Sequence, residues 1–200
     1  MNKSLNNSSN LKNKAIIGSI LHLLKGYQQE MTRPIPNVRD LDNLHYLLGQ
    51  SIRQYDIPSG NHHVSQEAHR RWTELSTDDI NKYHYKDKVV CDNLCGSVTY
   101  DYYKGANKFG EPATLSKGSV FDFRQMFHED HVIPVSLILG QMIQMQTPNN
   151  KAIENLLNKV HLCIILKEED RKIGRTKGRS LVYSDTIEKV YNSAGVYLYL

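Results

Sequence analysis

FRQMFHEDHVIPVSLI, residues 123–138, sets Glu129, Asp130 and His131 side by side in a run that otherwise has the apolar texture of a β-strand. Met126 and Phe127 precede the triplet, and Val132 and Ile133 follow it. Charged side chains are rarely buried unless they are paired or bind a metal, so such a triplet calls for a cause. Either the strand ends here and the triplet meets water, or the triplet belongs to a site. Pro134 comes soon after His131 and suits a strand that is ending. Adjacent residues of a regular strand face opposite sides, so Asp130 and His131 can serve one site only where the strand is irregular or terminates.

The surrounding chain has 200 residues and a mass of 23.0 kDa, enough for one domain with an appendage or for two small ones without disulfide support. Its formal charge of +4 and pI near 8.8 suit a polyanionic partner but do not by themselves require one. Three cysteines, Cys91, Cys95 and Cys163, cannot all pair, which favours a reducing, cytoplasmic setting. Cys91 and Cys95 lack the second cysteine pair of a structural zinc site, and His62, His63 and His69 have no standard ligand spacing. The N-terminal MNKSLNNSSNLKNK lacks a signal-peptide pattern, and no window is long and apolar enough for a membrane span.

Residues 1–13, rich in Asn, Ser and Lys, read as a disordered lead-in. From Lys14 to Gln29 the apolar residues recur at helical spacing, and Val38 to Tyr55 repeats the pattern with Leu41, Leu44, Leu47, Leu48 and Ile52 on one face. Ser65 can cap a third helix through Leu75, and Ser76 with Asp79 has the spacing for a short fourth. Residues 14–85 thus read as a helical layer for recognition or dimerisation. Tyr-rich, glycine-punctuated segments follow, KVVCDNLCGSVTYDYYKG and GSVFDFRQMF, with the texture of strands and loops. Tyr83, Tyr85, Tyr100, Tyr102 and Tyr103 read as packing residues. Ser136 to Met145 can be a helix, QTPNNKAIEN a polar loop, KVHLCIIL a buried strand, and KEEDRKIG a short helix with acids first and bases last.

Strand, long connection, strand and helix is the order that results. In EDHVIPVS (129–136) and NKVHLCIILKEEDRKI (158–173) the chain resembles the ββα-metal, or HNH, nucleases. The resemblance covers residues 120–175 and implies an α+β protein, a helical N-terminal region followed by a ββα-metal (HNH) core with additional short strands over 86–200. Hydrolysis of a phosphodiester needs a deprotonated water, charge stabilisation at phosphorus and help for the departing oxygen. By the resemblance, His131 is the general base, and Asp130 is a ligand for Mg²⁺ or Mn²⁺. Asn158 fixes the histidine ring through its side-chain amide, with Asn155 as its rival. The family's usual interval after Asn158 lands on Lys167, which is no conventional ligand. Asp170, one turn into the helix, has the right chemistry, and Glu169 is the fallback.

Lys167, Arg171, Lys172, Arg175, Lys177 and Arg179 crowd the same segment, where with Arg124 they can track a DNA backbone or simply face solvent. His128 reads as an exposed strand residue, or with Arg124 as facing the phosphate. The resemblance therefore implies a metal-dependent endonuclease acting on double-stranded DNA. A type II restriction enzyme working as a homodimer on a short palindrome fits best. The alternative is a non-catalytic DNA-binding protein built on a degenerate core, which Lys167 at the third position motivates.

Overall fold

The computed structural model describes residues 2–103, 109–175 and 187–199. In chain order, helices α1 (Asn2–Met31) and α2 (Val38–Arg53) lead to strand β1 (His62–Ser65) and helix α3 (Gln66–Leu75). Strands β2 (Lys88–Val90), β3 (Ser97–Tyr103), β4 (Phe109–Ser116), β5 (Val120–Asp122) and β6 (Phe127–His131) follow. Helices α4 (Val135–Ile143) and α5 (Asn150–Leu157), strand β7 (Leu162–Leu166), helices α6 (Lys167–Arg175) and α7 (Ile187–Asn192) and strand β8 (Leu198–Tyr199) complete the order. The architecture is a mixture of helices and small sheets. No described helix is long and apolar enough to cross a membrane.

Two compact units divide the chain, and neither is continuous in sequence: Met1–Asn61 with Ile133–His161, and His62–Val132 with Leu162–Leu200. The division therefore does not follow the expected boundary near residue 85. In the first unit, α1, α2, α4 and α5 bury Ile20, Leu24, Leu48, Ile138, Leu139, Met142, Ile153 and Leu157 in one core. Asn37 caps α2 by accepting from the amides of Arg39 and Asp40. Residues 2–13, read as a disordered lead-in, are instead the first turns of α1. The segment contains no Gly or Pro to stop a helix, and Asn13 is held by exchanging hydrogen bonds with the backbone of Asp56 while Lys12 pairs with the Asp56 carboxylate. QTPNNKAIEN is likewise not a loop throughout. Asn149 accepts from the Ala152 amide and starts α5, whose Ile153 and Leu157 lie one turn apart and pack inward.

The second unit is built on a four-stranded sheet in the order β6-β7-β1-β8. β6 and β7 are antiparallel, with Phe127 opposite Leu166, His128 opposite Ile165, Glu129 opposite Ile164, Asp130 opposite Cys163 and His131 opposite Leu162. β7 runs parallel to β1, and β8 closes the sheet antiparallel to β1. Since side chains alternate along a strand, directly opposed partners share a face. One face carries Phe127, Ile164, Leu166 and Val64 into a core with Trp72, Leu75 and Phe123. The other carries Val132, Cys163 and Ile165 into a smaller core with Ile173 of α6, Tyr191 of α7, Val196 and Leu198. Hairpin β3–β4 and the β2–β5 pair extend the first face.

The expected third helix is present, with Ser65 as its cap. The expected fourth is a single 3-10 turn at Ile80–Lys82, capped by Asp79. β1 itself had no counterpart in the sequence reading, because a four-residue strand containing His62 and His63 carries too little pattern to be seen.

Candidate metal centre

β6 and β7 pair in the sheet although α4 and α5 separate them in the chain, and α6 begins at the residue after β7 ends. Lys167 is tied to the residue just before β6 through its amide, which donates to the Met126 carbonyl at 2.9 Å. Three acids, Glu168, Glu169 and Asp170, occupy the first turn of α6, where the amide ends of the helix favour negative charge. They divide the work. Glu169 is buried at 5 % exposure and accepts from the Leu166 amide at 2.8 Å and from Ser65 Oγ at 2.5 Å. It is thus spent on starting the helix and tying it to β1, and burial raises its carboxyl above the ordinary range against the opposing pull of those hydrogen bonds. Asp170, one residue on, turns to the strand.

There it meets His128 and Asp130. One nitrogen of His128 and one carboxylate oxygen from each aspartate lie within 4.8 Å of one another, the spread of a set that could hold one metal ion. His128 Nε2 and Asp170 Oδ1 are 3.9 Å apart. Asp130 is nearly buried, at 6 %, and accepts from the hydroxyl of the fully buried Tyr191 at 2.7 Å. Burial lowers the pKa of His128, an effect only partly opposed by Asp170, so its imidazole is held toward the neutral form that a ligand requires. Lys167 Nζ approaches His128 Nδ1 at 3.4 Å, and burial also lowers the pKa of this lysine.

Asp130 and Asp170, the two expected ligands, are near one another in the structure. It does not place His131 with them. His128 and Asp130 are two apart and share a face of β6, while Glu129 and His131 belong to the other face. Asn158, which the resemblance implied fixes the histidine ring, belongs to the first unit. It is the C-cap of α5, and its Oδ1 accepts from the Tyr55 hydroxyl at 2.6 Å. Glu169 is the structural acid and not the fallback ligand.

Among the cations, Arg124 is exposed with its guanidinium 5.6 Å from the Tyr85 ring centre, and Lys167 Nζ lies 5.9 Å from the same ring. Lys172 is exposed and Arg171 half-buried on α6, and Arg175 is the last residue of that helix. Lys177 and Arg179 lie outside the described residues. Tyr83 and Tyr100 do pack on the core, but Tyr85 is 45 % exposed. Glu129, on the far face of β6, pairs with His84 Nδ1 at 2.9 Å.

Two residues of this cluster have no ligand or partner role in the motif: His128, expected to be exposed or to face a phosphate, and Tyr191. The two-residue spacing of His128 from Asp130 puts both on one face of a regular strand. Tyr191 had no signal, because nothing local in IEKVYN announces a contact with residue 130. No family model matches the chain, and no curated protein or solved structure matches it.

Proposed function

We propose that the protein is a divalent-metal-dependent endonuclease of the ββα type, with double-stranded DNA as its substrate. The observation that carries this reading is the meeting of Asp130 from β6 with Asp170 from α6, together with the imidazole of His128. Two carboxylates suit a hard ion such as Mg²⁺, and an imidazole beside them suits Mn²⁺ better, so the donor set fits a hard to borderline divalent ion. Such an ion would neutralise charge on the phosphate and on the departing oxygen. Asp130, Asp170 and His128 would hold it. The base that takes the proton from water is then a second histidine, and the resemblance assigns this to His131, the last residue of β6. Arg124, Lys167, Arg171 and Lys172 would meet the phosphate backbone. A type II restriction enzyme acting as a homodimer is the member of this class we favour, by analogy with small freestanding nucleases of the same motif.

Nicking of supercoiled plasmid with Mg²⁺ or Mn²⁺, against a chelator control, tests the reading. His128→Ala is expected to weaken Mn²⁺ binding, whereas His131→Ala keeps Mn²⁺ binding and slows nicking by about 10²–10⁴-fold. The reverse pattern makes His128 the base. One observation favours a second reading, a non-catalytic DNA-binding protein: the Lys167 ammonium, 3.4 Å from His128, opposes a divalent ion by charge repulsion. A wild-type chain that binds DNA, leaves it intact under both metals and gains Mn²⁺ affinity on Lys167→Ala would establish that alternative.

A further inference from the structure

We infer that Tyr191 is a positioning residue for Asp130, fixing the carboxylate that the proposed metal centre needs; the inference rests on the nuclease reading above. Tyr191 comes from α7, in the C-terminal part of the chain, and is fully buried among Val132, Cys163, Ile165, Ile173 and Val196. Phenylalanine would fill that apolar space as well. The hydroxyl, by contrast, costs free energy to bury unless it finds a partner, and its partner is Asp130 Oδ2 at 2.7 Å. A hydrogen bond to a carboxylate is among the stronger kinds, and it restrains an aspartate that would otherwise rotate about two side-chain torsions. A carboxylate has about four lone-pair sites, so a hydrogen bond from Tyr191 does not preclude a ligand role for Asp130.

The tyrosine is itself held in place. Its carbonyl accepts from the amides of Ala194 at 2.9 Å and Val196 at 3.0 Å, in a turn where Gly195 takes a left-handed φ of 71°. Leu198 then pairs with Ser65 of β1. The final strand thus anchors the tyrosine on the same sheet that carries Asp130, and a partner so fixed sets the direction of a ligand. Tyr191 touches neither substrate nor ion in this role.

The test is Mn²⁺ affinity of the full chain, read from the electron paramagnetic resonance signal of free Mn²⁺, for wild type and Tyr191→Phe, with metal-free thermal unfolding as the control. The expected result is about tenfold weaker binding, the size typical of removing a hydrogen-bond partner of a ligand, with a near-native unfolding midpoint. Unchanged affinity in Tyr191→Phe overturns the positioning role and leaves the nuclease reading standing. Absence of Mn²⁺ binding by the wild type overturns both. Tyr191→Met, an apolar side chain that adapts to irregular space, serves as the hydroxyl-free variant should the phenylalanine chain fail to fold.

Discussion

Strand β6 lies between two environments built from opposite materials. On one face Phe127 joins Trp72, Phe123, Ile164 and Leu166, and its ring lies 5.0 Å from Phe123 and 5.6 Å from Trp72. Aromatic and aliphatic area removed from water stabilises this side. On the other face Asp130 and His128 stand over a smaller core, and polar contacts from α6 and α7 surround them. The first face explains why β6 is a strand at all. The second explains why it contains an aspartate that is nearly buried. These polar side chains are held by a strand that the opposite face secures, which is how a buried acid can be kept in place.

The two aspartates sharpen this contrast, because they share a proposed role and differ in surroundings. Asp130→Ala should abolish metal-dependent nicking and lower stability by about 1–3 kcal/mol, since it removes the acceptor of a buried hydrogen bond. Asp170 has a side chain 38 % exposed on the first turn of α6, so Asp170→Ala should abolish nicking with a stability change within about 0.5 kcal/mol. Urea unfolding beside the nicking assay checks both. Equal destabilisation by the two substitutions would show that burial does not separate them, and full activity of either variant would remove that residue from the centre.

Glu169 breaks the face into site and scaffold. Its carboxyl is raised by burial, so the stability it contributes is complete below the ordinary range near 4.5 and is lost as pH rises through its elevated folded value. Glutamine cannot ionise and still accepts a hydrogen bond. Glu169→Gln should therefore gain on the wild type between pH 5 and pH 8 while nicking stays unchanged. Glu169→Ala removes the acceptor for Ser65 and Leu166 and should cost about 1–3 kcal/mol at pH 5 and less at pH 8. A wild type that holds its advantage over Glu169→Gln at pH 8 would mean that the ionised carboxylate is the favoured form.

Much of this arrangement was legible in particular residues. Ser65 as a cap, the apolar faces of α2 and α4, the strand at 162–166 and the acids opening α6 follow from short-range rules of spacing and capping. Asp130 was singled out by the motif and Asp170 by its residue type one turn into a helix, and β6 and α6 bring the two side chains near one another. His131 was paired with Asp130 from the motif, although strand alternation separates neighbours, and that alternation prevails in β6. The partition into two units was not legible, because α4 and α5 pack with the N-terminal helices through apolar faces that name no particular partner. Tyr191 was invisible for the same reason: a contact made across the sheet leaves no trace in the spacing of either residue.

The smallest effect is expected at Glu129, the member of the opening triplet with no proposed chemistry. Its partner His84 has a side chain 66 % exposed, its own is 22 % exposed, and pairs of this kind contribute about 0–1 kcal/mol. Glu129→Gln keeps an acceptor for the His84 ring, so stability should change by less than about 1 kcal/mol and nicking should proceed at the wild-type rate. Because Glu129 and His131 share a face, the substitution also probes that face as a place for catalysis. A loss of nicking at Glu129 with Mn²⁺ binding intact would show that Glu129 works beside His131 on that face, and its reading as a surface ion-pair residue would fail.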